Sequence, residues 1–152
     1  MGKSNAKGTR KTAGKNIKET QKKKDPSDDC LSVWLFTNVD RDGKFAFDVG
    51  RDDFDSRLVL EKMMEYSNMK WSAIRGHTHG KNNKSKHHFL DYASLSKDAT
   101  DRIEAKHLEE NVDSIFSFAI TGKVRIIGTR QDRFFNVIWY DPNHEFCPSH
   151  KA

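Results

Sequence analysis

The last third of the chain holds three β-rich runs in close succession, "DSIFSFAI" (113–120), "TGKVRIIGTR" (121–130) and "DRFFNVIWY" (132–140). β-branched and aromatic residues dominate each run, and the links are short, with Gly122 at one turn and Gln131-Asp132 at the other. Consecutive strands so tightly joined pair with one another, which makes an antiparallel meander the expected arrangement. Alternation along the middle strand then puts Lys123, Arg125, Ile127 and Thr129 on one face and Val124, Ile126 and Gly128 on the other. The apolar face is expected to meet helices. Lys123 and Arg125 form a cationic platform on the opposite side, extended by Arg130 at the strand's end. Paired with Asp132, Asp141 or Glu145, these cations would be surface ion pairs worth under ~1 kcal/mol; left open, they are suited to a phosphate.

Upstream, "CLSVWLF" (30–36) and "KFAFDV" (44–49) flank the turn residues "NVDRDG" and read as a hairpin. "DRDG" opens like a calcium loop, but no glutamate closes it at the required distance, so calcium is not expected. From Arg51 to Tyr66 the apolar residues Phe54, Leu58, Leu60, Met63 and Met64 follow a helical stripe, with acidic residues near its N-terminal end. A second helix is expected in "LSKDATDRIEAKHLEE", capped by Ser94 and burying Leu95, Ala99, Ile103 and Leu108. Helices followed by a meander define an α+β fold, two helices against one antiparallel sheet.

Charge is distributed unevenly. Residues 1–24 carry nine Lys/Arg against one acid, Glu19, so they hold +8 of a chain whose net charge is +5, and the remainder is −3. They contain no aromatic residue, and only Met1 and Ile17 are large aliphatics, so little there offsets the entropy of ordering. Residues 1–29 are therefore expected to form a disordered basic arm ending in the polar hinge "DPSDD", followed by a single α+β domain over 30–152. Such an arm suits salt-sensitive contact with nucleic acid, or is simply a solvated tail. No stretch reaches the ~20 apolar residues of a membrane span and no signal-peptide segment is evident, so a cytoplasmic protein is expected. Cys30 and Cys147 are expected to be reduced there.

"RGHTHGKNNKSKHH" lacks apolar periodicity and reads as a loop. Its His77, His79, His87 and His88, with Cys147 and His150, are of zinc-binding type, but the spacings do not match common zinc sites and the nearby lysines repel a cation. No metal and no cofactor are expected. Lys81, Lys84, Lys86 and His88 are candidate nucleic-acid contacts, set against the plainer reading of a merely solvated loop, since long loops accumulate polar residues.

The phrase "IFSFAITGKVRIIGTRQDRFFNVIWYDPNHEF", preceded by the helical "LSKDATDRIEAKHLEE", resembles the C-terminal part of the RelE/ParE superfamily of bacterial toxins. There a strand, a glycine turn, a strand with a central arginine and a last apolar strand lead to terminal basic or histidine residues. "RIIGTR" and the W-x-D-P-x-H-E ending also resemble a set of bacterial mobile-element proteins. The resemblance covers roughly residues 94–149. It implies cleavage of messenger RNA, often on the ribosome, by attack of a 2′-hydroxyl on its own 3′-phosphate, and a cognate antitoxin as partner. Arg125 would clamp the phosphate, Lys123 and Arg130 would flank it, and His144 would act as general acid or base. Two other readings stand beside it: a non-catalytic nucleic-acid or ribosome-binding protein, and a protein-interaction module on the same scaffold.

Overall fold

Backbone pairing along the C-terminal runs organises everything else. The computed structural model describes residues 25–79 and 84–149. In chain order it contains β1 (Val33–Leu35), α1 (Ser56–Ser67), α2 (Trp71–Gly76), the short strands β2 (Thr78–His79), β3 (Lys84–Ser85) and β4 (His88–Phe89), α3 (Lys97–Ala105), and the long strands β5 (Ile115–Thr121), β6 (Val124–Gln131) and β7 (Phe134–Asp141). Short 3-10 turns occupy Pro26–Asp29, Tyr92–Ser94 and Glu109–Ser114. The fold is α+β.

The meander β5–β6–β7 forms as expected, and two edge elements widen it to a five-stranded sheet of order β1-β7-β6-β5-β4. The sheet is mixed, because β1 runs parallel to β7, pairing Val33–Leu35 with Phe134–Asn136. This corrects the hairpin expected over residues 31–47. The two β-rich runs do not pair with each other; each meets β7 instead, the second at a bridge between Ala46 and Trp139 where the Tyr140 N–H is donated to the Phe45 carbonyl at 2.9 Å. The turn between them is held inward by Asp40. Its buried carboxylate accepts a two-pronged pair of bonds from Arg102 on α3 and one from the Trp139 indole, at 2.9, 2.9 and 3.0 Å. Burial alone would raise the Asp40 pKa, but these donors and the Asp42 N–H outweigh it and hold the carboxyl below its ordinary value.

Helices cover both faces of the sheet rather than one. Phe116, Phe118, Ile126, Phe135 and Val137 pack under Val59, Tyr66, Trp71 and Ile74 of α1 and α2. Ile115, Ile127, Ile138 and Trp139 face the other way, onto Ala99 and Ile103 of α3 and onto Phe45 and Phe146. Strict alternation would put Trp139 on the same side as Val137. A register shift intervenes: Ile127 faces Trp139 but Gly128 faces Val137, so Ile138 is an extra residue and everything after it changes side. Gly128 permits this, since a Cβ there would collide with the Asn136 carbonyl. α3 also begins later than expected, with Ser96 rather than Ser94 accepting from the Ala99 N–H at 3.2 Å. Ser94 instead ends the preceding 3-10 turn.

The expected hinge at 25–29 is an ordered part of the domain. Asp25 and Asp28 cap a 3-10 turn reciprocally. The reason it holds is Asp28, which is 3% exposed. Its carboxylate accepts from Arg130 at 2.8 Å and from Arg75 at 2.9 Å, and the Arg130 guanidinium stacks 4.1 Å from the Trp71 ring centre. The rest of the expected arm, residues 1–24, lies outside the described residues. Cys30 and Cys147 are both free thiols. Among the described residues no helix is long and apolar enough to cross a membrane.

Removing one member of a buried pair strands the other charge, so Asp28→Ala is expected to cost about 3–5 kcal/mol in denaturant unfolding. Replacing both partners, as in Asp28→Leu with Arg130→Leu, is expected to recover most of that loss. If the double variant is no more stable than Asp28→Ala, the pair is not what anchors the N-terminal turn.

Candidate phosphate-binding cavity

Arg125 and Asp141 are directly opposed on β6 and β7. One residue pair along, Ser117 of β5 faces both His88 of β4 and Ile127 of β6. These positions line the α3-side face near one end of the sheet. The chain leaving β7 folds back beside them through Asp141-Pro142 and borders a half-open cavity of about 590 Å3. His88, Arg125 and His144 line it, together with Lys84 and Lys86.

The turn that delivers His144 is built by Asp141. Its buried carboxylate accepts the Glu145 N–H at 3.0 Å and the Phe146 N–H at 2.8 Å. His144 sits in the left-handed region at φ 58°, a strained conformation for a residue with a Cβ, and those two bonds fix it. Burial lowers the His144 pKa from the ordinary 6.5; Arg125 and His88 add to the effect while Asp141 opposes it. The imidazole is therefore neutral at pH 7 and able to accept a proton.

Arg125 is half-buried. Its Nη1 donates to the carbonyls of Gly122 at 2.6 Å and Val124 at 3.0 Å, which pins one arm of the guanidinium to the β5–β6 turn. Burial lowers its pKa, opposed by the negative potential of Asp141, yet a guanidinium stays charged at any physiological pH. Among the described residues no carboxylate forms an ion pair with it. It is a positive charge held near the cavity with its remaining N–H groups uncommitted, which is what recognition of an oxyanion requires.

Two expected members are elsewhere. Arg130 is five positions from Arg125 and so points to the opposite face, where Asp28 and Trp71 bury it. It supports the fold and does not flank the cavity. Lys123 lies in the exposed turn before β6 and also does not line the cavity, because the strand starts only at Val124. Of the loop cations, Lys84, Lys86 and His88 reach the cavity, while Lys81 lies outside the described residues. Among the described residues no cluster of ligand-type side chains could hold a metal.

Two adjacent histidines, 87 and 88, have different tasks. His88 is exposed at the cavity, its Nδ1 3.0 Å from its neighbour's carbonyl on Phe89. His87 is 1% exposed. The Ala119 N–H donates to its Nδ1 at 3.1 Å, so in the neutral ring the proton is on Nε2, which donates to Nδ1 of His77 at 3.2 Å. Tyr66 completes the edge by donating to the Ala119 carbonyl at 2.6 Å. Two side chains thus satisfy the backbone of β5 where β4 stops, and the segment that carries Lys84, Lys86 and His88 is fastened to the sheet. Ser117 and Asp141 are the site residues the sequence reading did not single out as such. Ser117 had a signal, a lone hydroxyl within the apolar run "IFSFAI".

Burial drives the His87 pKa down to about 3. Between there and 6.5 the unfolded chain takes up a proton that the folded chain refuses, so stability falls as pH drops through that window and is fully present above it. His87→Gln is expected to flatten the pH dependence of the denaturation midpoint between pH 6.5 and 4 by up to one proton's worth of slope. An unchanged slope would mean that His87 titrates normally. Comparison of the chain with known proteins finds no matching family model, no matching curated protein and no matching solved structure.

Proposed function

We propose that the protein is an RNA-cleaving enzyme, a RelE-like toxin acting on messenger RNA in the cytoplasm, with the ribosome and a cognate antitoxin as its partners. The observation that carries this reading is the convergence of one open guanidinium and two imidazoles, Arg125, His88 and His144, in a single cavity with Lys84 and Lys86 at its margin. Cleavage by an internal 2′-hydroxyl needs a base to remove its proton, cations to stabilise the phosphorane, and an acid for the departing 5′-oxygen.

His144, kept neutral by burial and by Arg125, suits the base. Arg125 neutralises the non-bridging oxygens, on which charge grows as the new P–O bond forms. His88, which lines the same cavity and is exposed, is assigned the acid. The P–O bond to the 5′-oxygen then breaks, His88 supplies the proton, and a 2′,3′-cyclic phosphate is left. Lys84 and Lys86 guide the polyanion, in an interaction that weakens with salt. No metal or external reactant enters the balance.

With purified full-length protein and RNA, alone and on ribosomes, His144→Ala and Arg125→Ala are each expected to lower the cleavage rate by roughly 100-fold or more. Arg125→Lys is expected to lose most of the activity, since a point charge cannot replace a guanidinium fork. As the base, His144 must be neutral, so the rate is expected to rise with pH through a midpoint below 6.5 and to be flat above it on that limb. If wild-type protein binds RNA but cuts it neither alone nor on ribosomes, the non-catalytic reading replaces this one.

A further inference from the structure

The cavity is larger than an anion site needs. At about 590 Å3 it lies within the roughly 300–1,000 Å3 typical of pockets that enclose a whole small molecule. Beside its cations, Leu90 and Ile127, only 8% and 1% exposed, give it an apolar floor on the sheet, and Pro148 also lines it. Ser117, opposite Ile127 in the ladder and 5% exposed, lines the cavity too and has no side-chain hydrogen-bond partner among the described residues. Ser94 contributes a second hydroxyl residue at the edge.

Among the described residues no buried side-chain nitrogen or oxygen lacks a partner, so the Ser117 hydroxyl, which none of them bonds, opens into the cavity and is free to meet a ligand there. Apolar side chains suit the face of a planar heterocycle, and a hydroxyl that both donates and accepts can meet its edge. We propose that the Leu90–Ile127 floor with Ser117 and Pro148 is a nucleobase subsite, which receives the unstacked base of the nucleotide whose phosphate Arg125 binds. The inference rests on the proposed function for its phosphate, and deepens it. The substrate is then single-stranded at the cut, because a paired base cannot turn into the cavity.

Full-length protein is titrated with the four nucleoside 3′-monophosphates, with ribose 5-phosphate and with inorganic phosphate. At least one nucleotide is expected to bind about tenfold or more tightly than ribose phosphate, the increment supplied by apolar contact and one net hydrogen bond. Ser117→Ala is expected to remove about tenfold of that base-dependent increment while leaving the affinity for inorganic phosphate unchanged, which also shows that the variant is folded. Arg125→Ala is expected to weaken all of these ligands. Equal binding of ribose phosphate and all four nucleotides, with phosphate binding still dependent on Arg125, would overturn the base subsite and leave the catalytic reading standing. Failure of every ligand, phosphate included, would overturn both. RNA and DNA trinucleotides distinguish the source of the base, with the RNA expected to bind at least as tightly.

Discussion

One inserted residue, Ile138, sets the geometry on which the site depends. Side chains on a strand alternate with period two, so an extra residue in β7 reverses the facing of everything after it. Trp139 is thereby turned to the α3 side, where it donates to Asp40, and Asp141 is brought across from Arg125 on the cavity face. Tyr140 goes to the other side and packs with Phe54. Without the insertion the carboxylate that shapes the C-terminal turn would point to the α1–α2 side and His144 would not be carried over Arg125. Gly128, with no room for a Cβ beside the Asn136 carbonyl, is the local condition for that shift.

Charge is handled differently on the two faces. On the α1–α2 side, Arg130 is spent on structure, neutralised by Asp28 and stacked on Trp71. On the α3 side, Arg125 is held by carbonyls alone, which orient a guanidinium without cancelling its charge. Asp141 lies opposite it but directs its hydrogen bonds to the backbone of Glu145 and Phe146. A buried pair and an open cation thus occur five residues apart on one strand, and only the second is suited to chemistry.

How much of this could be read in the sequence follows from the range of the interactions. The meander and the face of Arg125 depend on local periodicity and were legible; of the expected helical stripe only Leu58 and Met63 pack against the core from α1, while Leu60 and Met64 are exposed, Phe54 precedes the helix, and Val59 and Tyr66 are its buried residues. Arg130 was misplaced although alternation alone separates it from Arg125; its cationic character outweighed its parity. The parallel pairing of β1 with β7 joins residues a hundred positions apart, and no local pattern distinguishes it from a hairpin. Ile138 resembles its neighbours, so the insertion left no mark beyond Gly128. The separate tasks of His87 and His88 depend on which one meets the Ala119 N–H, a contact 32 residues away in the chain.

The central claim is that Arg125, His88 and His144 act on a phosphate through the neighbouring 2′-hydroxyl. The most direct test is an RNA that wild-type protein cuts, resynthesised with a single 2′-deoxynucleotide at the cut position, with the products analysed for their termini. The account predicts a 2′,3′-cyclic phosphate end on the normal RNA, and binding without cleavage at the substituted position. Cleavage at the deoxy position at an undiminished rate, or a 3′-hydroxyl end on the normal RNA, would contradict it.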